Sequence, residues 1–389
     1  MSRFSDFSLQ AASAGSLAAL IGFAGSFAVV LQGLDGIGAS PAEAASGLMA
    51  LSLAMGLCGI LLSLKTKLPV SIAWSTPGAA LLATTGPLQG GFAAAVGAFM
   101  VCAALIVLSG LWKPLGRWVA AIPASLANAM LAGVMLTFCL APVQAVAEGP
   151  ALALPIILTW ALVWRFKRLY AVPAALVVTI VVILLTNELP PFEPAYLIPQ
   201  PVLVVPEFSL AAAIGIALPL FIVTMASQNI PGIAVLKANG YHPTPGPLFA
   251  ATGVFSLLSA PFGGHAVNMA AITAALCAGP DAHADPQRRY WAALVSGIFY
   301  VLFGLVAPVI TVFVLALPTY LILAVAGLAL LGPFASALTG ALEETEDRLA
   351  AVVTFVVTAS GVSFLGVGSA FWGLLAGLGL YALTRWRAA

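Results

Sequence analysis

Charge is what this chain has least of. Its 389 residues hold only 14 Lys and Arg and 13 Asp and Glu, 7% of the total, against 62% hydrophobic residues. A soluble domain carries roughly 25% charged residues, and no soluble core could hide this much apolar surface. The mean hydropathy of +1.11 points the same way, to a chain that lives in lipid. Cysteine is nearly absent too. Cys58, Cys102, Cys139 and Cys277 lie in apolar stretches with no CxxC spacing, which excludes a disulfide framework and a zinc site and leaves them as packing residues. A net charge of +1 without a basic cluster provides no footprint for nucleic acid.

What the chain does have is apolar runs punctuated by Gly, Pro and charge. They define fourteen candidate segments, near 14–33, 43–63, 70–86, 90–112, 119–141, 149–164, 170–186, 209–236, 246–262, 264–279, 290–313, 318–340, 349–367 and 369–384. The first run exceeds the roughly 7 to 15 residues of a signal-peptide core, so it reads as a span although residues 38–44 mimic a cleavage site. With the N-terminus inside, every Lys and Arg falls on the cytoplasmic side: Arg3, Lys65, Lys67, Lys113, Arg117, Arg165, Lys167, Arg168, Lys237, Arg288, Arg289, Arg348, Arg385 and Arg387. That places both termini of a multi-pass membrane protein in the cytoplasm.

The same parity decides two short segments. Between Lys67 and Lys113, and again between Lys237 and Arg288, the chain must cross twice to return to one face. Segments three and ten therefore count as crossings, and their length predicts half-helices entered by extended chain. Such backbone is permitted only where protein or a water-filled cavity surrounds it, which is where transporters bind substrate.

Each of these segments is third in a block of seven, which predicts an all-α fold of 7+7 inverted repeats. Residues 1–186 form the first repeat (core segments 1–4 over about 8–112, gate segments 5–7 over about 119–186). Residues 187–208 form an extracytoplasmic connector. Residues 209–389 form the second repeat (core segments 8–11 over about 209–313, gate segments 12–14 over about 318–384). Asp6-Phe7-Ser8-Leu9 before segment one is echoed by Glu207-Phe208-Ser209-Leu210 before segment eight.

No Asp, Glu, Lys or Arg lies in the interior of a span, so no acid–base pair or metal cluster is available for catalysis inside the bilayer, and an enzyme or a metal or cofactor protein is not expected. The candidates are polar groups beside chain breaks. In Ser227-Gln228-Asn229-Ile230-Pro231-Gly232, Pro231 predicts a kinked or opened helix exposing Gln228 and Asn229. In Gly263-Gly264-His265-Ala266-Val267-Asn268, continuing to Thr273, His265 is the sole histidine in a span and the candidate for proton coupling. In Trp74-Ser75-Thr76-Pro77-Gly78, a capped helix start with Pro in its first turn predicts free backbone N–H groups facing those of segment ten. Two such N-termini favour an anion without a Lys or Arg in the site. Trp74 is placed to stack on a flat substrate, whereas Phe23 and Phe27 read as core. The candidate substrate-binding set is thus Trp74, Ser75, Thr76, Gln228, Asn229, Asn268 and Thr273.

Several long motifs resemble the bacterial benzoate:proton symporter family of the BenE type. They are Arg3-Phe4-Ser5-Asp6, residues 73–83 (AWSTPGAALLA), residues 224–232 (TMASQNIPG), residues 260–266 (APFGGHA) and residues 368–373 (GSAFWG), and the resemblance spans essentially the whole chain. It implies proton-coupled uptake of benzoate or a similar aromatic monocarboxylate across the inner membrane. It also implies an architecture similar to nucleobase and sulfate-type carriers, in which a homodimer is common. In the nucleobase carriers acidic residues on segments eight and ten hold the substrate; here those neighbourhoods offer Gln228, Asn229, His265 and Asn268, which suits an anion that carboxylates would repel. An anion exchanger or a nucleobase carrier on the same scaffold is the alternative, with a channel further behind.

Overall fold

The computed structural model describes residues 7–86, 88–112, 114–115, 122–186, 198–270, 272–315, 318–362, 364 and 367–386. Arg3, Lys113, Arg117, Arg387, the Arg3–Asp6 motif, the start of segment five and residues 187–197 of the connector lie outside them. Among the described residues seven helices are long and apolar enough to cross a membrane, namely Leu9–Gly36, Pro41–Thr66, Gly91–Leu111, Ala124–Glu148, Arg168–Thr186, Leu210–Ala238 and Thr319–Leu342. At 1.5 Å per residue, about 20 residues cover the hydrocarbon layer.

Leu9–Ala24 (α1) and Phe27–Gly36 (α2) divide the first span at Gly25-Ser26. Pro41–Thr66 (α3) is followed by the strand Ile72–Trp74 (β1), the short helix Thr76–Thr85 (α4) and Gly91–Leu111 (α5). Next come Ala124–Glu148 (α6), Pro150–Phe166 (α7) and Ala171–Thr186 (α8). Leu210–Ala238 (α9) and Pro245–Ser259 (α10) precede the strand Val267–Met269 (β2) and the short helix Ile272–Ala278 (α11). Tyr290–Leu305 (α12), Ala307–Leu315 (α13), Thr319–Leu342 (α14), Arg348–Ala359 (α15) and Ser369–Trp386 (α16) complete the chain.

Local chemistry explains these limits. Helix α3 begins with a capping box, in which Ser40 Oγ accepts the Glu43 N–H and the Glu43 carboxylate accepts the Ser40 N–H at 2.8 Å, with Pro41 just inside. The serines of the two matching tetrapeptides do the same job. Ser8 Oγ accepts the Ala11 N–H at the start of α1, and Ser209 Oγ accepts the Ala212 N–H at the start of α9. Three predicted segments are shorter or divided. Segment one breaks at Ser26. Segment eleven becomes α12 and α13, with Pro308 in the first turn of the second, where the missing N–H is tolerated. Segment thirteen ends as a helix at Ala359, 12 residues long.

Helix α3 packs on α10, α12 and α13, α5 on α10, and α1 on α11 and α12; separately, α6 packs on α14, α15 and α16, and α7 on α8. The connector residues 198–208 lie extended across the first set. Val202 N–H bonds Ser46 Oγ at 2.9 Å, Val204 N–H bonds Pro261 O at 2.8 Å, and Glu207 N–H bonds Ala93 O at 3.0 Å. Close helix approach depends on small residues, the usual device where lipid provides no hydrophobic drive between helices. A Cβ on Gly56 would stand 2.5 Å from Gly297 O, and one on Gly297 would stand 2.7 Å from Gly56 O. Gly56→Leu is therefore expected to force α3 and α12 apart at a cost of about 1 to 3 kcal/mol. A lowered unfolding temperature of the purified protein in detergent would register it; an unchanged one would mean the helices can separate freely.

Candidate functional site

The two strands pair antiparallel, with Ile72 opposite Met269, Ala73 opposite Asn268 and Trp74 opposite Val267. Backbone bonds Ser75 N–H to Ala266 O (3.0 Å) and Ala270 N–H to Ser71 O (2.9 Å) extend the ribbon at both ends. Gly263, at φ 91°, turns the chain from α10 into this ribbon, a conformation that favours glycine. Such a ribbon inside an apolar protein survives because its backbone groups pair with each other and its surroundings are protein. Helices α4 and α11 leave from opposite ends of it, so roughly 10 Å of strand lies between their first turns.

The start of α4 offers fewer free amides than the sequence suggests. Ser75 Oγ accepts the Gly78 N–H at 3.1 Å, Ser75 O accepts the Ala79 N–H at 2.8 Å, and Pro77 has no N–H. Thr76 alone keeps its amide from this count. The residues that sequence reasoning grouped around the break do converge on the ribbon, but most are already bonded to protein. Thr224 on α9 donates to Ser75 Oγ at 2.9 Å. The Trp74 indole N–H donates to Ser26 Oγ at 2.8 Å, in the gap between α1 and α2, and Ser26 in turn donates to Gly22 O. Thr273 and Ser71 share a hydroxyl–hydroxyl bond at 3.1 Å.

Asn229 is likewise engaged. Its Oδ1 accepts the Met269 N–H at 2.8 Å and its Nδ2 meets Met225 Sδ at 3.1 Å. This strut is possible because residues Met225–Asn229 form a π turn, so α9 runs on without the predicted opening. A second π turn occupies Ala213–Ala217. Both end two residues before a proline, Pro231 and Pro219, and the wider turn relieves the crowding that a proline ring imposes on the carbonyl four residues back. Gln228 and Thr76 are half-buried, and neither side chain bonds a described residue.

His265 and Asn268 stand apart from the rest. Both are fully buried. His265 Nε2 lies 2.9 Å from Ser75 O. A carbonyl only accepts, so Nε2 carries the hydrogen and Nδ1 presents a bare lone pair. Among the described residues that Nδ1 has no partner, and neither has Asn268 Oδ1, whose amide nitrogen donates to Met269 O at 2.9 Å. Two buried acceptors without donors are costly, and such groups in a native protein call for a role. The Phe99 ring stands edge-on 6.2 Å from the imidazole. Phe23 lies 5.4 Å from Trp74 and 4.8 Å from Phe303, so an aromatic wall flanks the ribbon.

Comparison with known proteins decides the family. The family model described as benzoate membrane transport protein matches residues 5–383. This chain belongs to that family. A benzoate membrane transport protein of Acinetobacter baylyi is 36% identical over 97% of this chain and 95% of its own length. The inner membrane protein YdcO of Escherichia coli is 45% identical over 94% of this chain and 93% of its own. The fold is shared with anion transporters at 14% identity. The transmembrane domain of a cyanobacterial bicarbonate transporter, BicA, matches with a TM-score of 0.65 over 97% of this chain and 98% of its own. Murine Slc26a9 in its inward-facing state matches with 0.60 over 95% and 68%. The protein is thus a multi-pass inner-membrane transporter of the benzoate transport family, and enzymes have no place among these relatives.

Sequence reasoning missed Ser26, Thr224 and Ser71. Ser26 had a signal, since Gly25-Ser26 interrupts an apolar run, and Thr224 opens the motif that contains Gln228. Neither signal says which side chain lies opposite.

Proposed function

We propose that this protein takes up benzoate or a similar aromatic monocarboxylate together with a proton, by alternating access. The observation that carries the reading is the pair of buried acceptors without partners among the described residues, Asn268 Oδ1 on β2 and His265 Nδ1 just before it, beside an aromatic wall, in a family named for benzoate transport. An acceptor pair suits a ligand that arrives with a proton. With His265 Nδ1 protonated, the imidazolium becomes a donor to a carboxylate oxygen, and the carboxylate compensates a charge that would otherwise be expensive in this apolar surrounding. Empty and unprotonated, or loaded with both, the site is near neutral. Loaded with either alone it carries a charge through the bilayer centre, which is the physical basis for coupling.

In this reading Thr76, Gln228 and Asn268 contact the substrate, and Trp74 with Phe23 receives the ring. Ser75, Asn229 and Thr273 hold the ribbon in place. The fourteen-segment inverted repeat provides the alternation: residues of segments 1–4 and 8–11 form the core that carries the site, and segments 5–7 and 12–14 form the gate. The two strand-then-short-helix units, Ile72–Thr85 and Val267–Ala278, support that division. The one-sided distribution of Lys and Arg supports cytoplasmic termini.

Competition separates this substrate from the alternatives. Uptake of labelled benzoate is expected to fall with excess unlabelled benzoate and to resist equal excesses of uracil and sulfate. Displacement by uracil or sulfate instead would point to a nucleobase carrier or an anion exchanger.

A further inference from the structure

At one end of the ribbon-bearing elements lies an open cavity of about 530 Å³, lined by Lys67, Leu68, Tyr241, Asp285, Arg288 and Tyr290 among others. Its volume falls within the roughly 300 to 1,000 Å³ typical of small-molecule sites. None of the residues assigned to the central site touches it. Its walls are nevertheless the ends of the elements that build that site. Lys67 closes α3 and begins the segment leading into β1, Tyr241 follows α9, Asp285 and Arg288 follow α11, and Tyr290 opens α12. Helix α11 has seven residues, so roughly 10 Å separates this cavity from the ribbon.

The lining chemistry is that of an anion receptor set over two buried tyrosines, Tyr241 and Tyr290. Arg288 and Asp285 form only a long pair, 3.8 Å apart, on half-exposed side chains. Lys67 has no carboxylate partner among the described residues. Its Nζ lies 4.3 Å over the Tyr290 ring and 3.1 Å from the Tyr290 hydroxyl, which holds the ammonium at the cavity without neutralising it. Two cations and one acid leave the cavity with a net positive charge. Lys67 is also the one non-glycine at positive φ (57°) among the described residues, at a helix C-terminus where glycine or asparagine would be easier.

The geometry points to a second, peripheral binding site for an aromatic carboxylate in this cavity, a vestibule that a substrate occupies on its way between the ribbon and one face of the membrane. Lys67 and Arg288 receive the carboxylate and the half-buried Leu68 receives the ring, over the buried Tyr241 and Tyr290. This inference rests on the proposed substrate class and extends it to one side of the membrane only.

The test uses the intact protein in right-side-out and in inverted membrane vesicles, which present opposite faces to labelled benzoate. Lys67→Gln with Arg288→Gln is expected to raise the half-saturation concentration about fivefold to tenfold when the face bearing Lys67 is exposed, and to leave the opposite face within about twofold. Asp285→Asn removes the one negative charge and is expected to shift the same face the other way, about threefold, a gain that misfolding cannot imitate. Equal effects on both faces, or none on either, would overturn the vestibule. So would an effect that vanishes in vesicles of zwitterionic phosphatidylcholine alone, which would assign the cavity to an anionic lipid headgroup. Wild-type vesicles that take up no aromatic carboxylate would bring down the proposed substrate, and the vestibule with it.

Discussion

Replacing His265 by glutamine is expected to abolish uphill accumulation of benzoate while leaving exchange of benzoate across the membrane measurable. Glutamine can keep the bond to Ser75 O through its amide nitrogen, so the ribbon and the start of α4 stay in register. Its amide oxygen takes the place of Nδ1 as an acceptor but cannot hold a proton at any physiological pH. The substrate would then cross without its proton, and the loaded site would carry an uncompensated charge. Counterflow at equal concentrations, which needs no gradient, separates loss of coupling from loss of binding. If His265→Gln accumulated benzoate fully in a proton gradient, the proton site would lie elsewhere, although transport itself would stand.

The second large effect is expected at Asn229, for a different reason. Its Oδ1 is the acceptor for the Met269 N–H at the end of β2, and Asn229 is fully buried. Asn229→Leu leaves that backbone donor without a partner in an apolar interior, at a cost of about 1 to 3 kcal/mol. The strand carrying Asn268 is then released from α9. Benzoate transport is expected to fall at least tenfold, with a drop in unfolding temperature. Asn229→Asp keeps an acceptor for the amide and should restore the fold without restoring uptake, because it sets a negative charge beside the carboxylate site. Normal uptake by the leucine variant would remove Asn229 from the site altogether.

These two residues also mark the limit of what could be read in advance. Hydropathy alone located the long helices, because an apolar run of some 20 residues has few other fates. The short segments at 70–86 and 264–279 were legible through charge parity and through Pro69, Gly263 and Gly264, which break helix. What the sequence could not show is pairing across distance. Asn229 and Gln228 sit side by side in one motif. One is a fully engaged strut and the other makes no described bond, a difference set by the π turn and by which face meets β2. In a chain where nearly every position is apolar, the pattern says little about which side of a helix faces inward, and the bond between His265 and a carbonyl 190 residues away leaves no local trace. The free amides expected at α4 were overestimated for a related reason. The serine that marks a helix start in sequence also consumes one of the donors it advertises.

The most direct test of the account is uptake of labelled benzoate into sealed proteoliposomes holding the purified protein, with an inward proton gradient imposed and a protonophore added to half the samples. The account predicts accumulation above equilibrium that collapses when the protonophore is present. Accumulation indifferent to the protonophore, or mere equilibration with the gradient intact, would contradict proton-coupled transport.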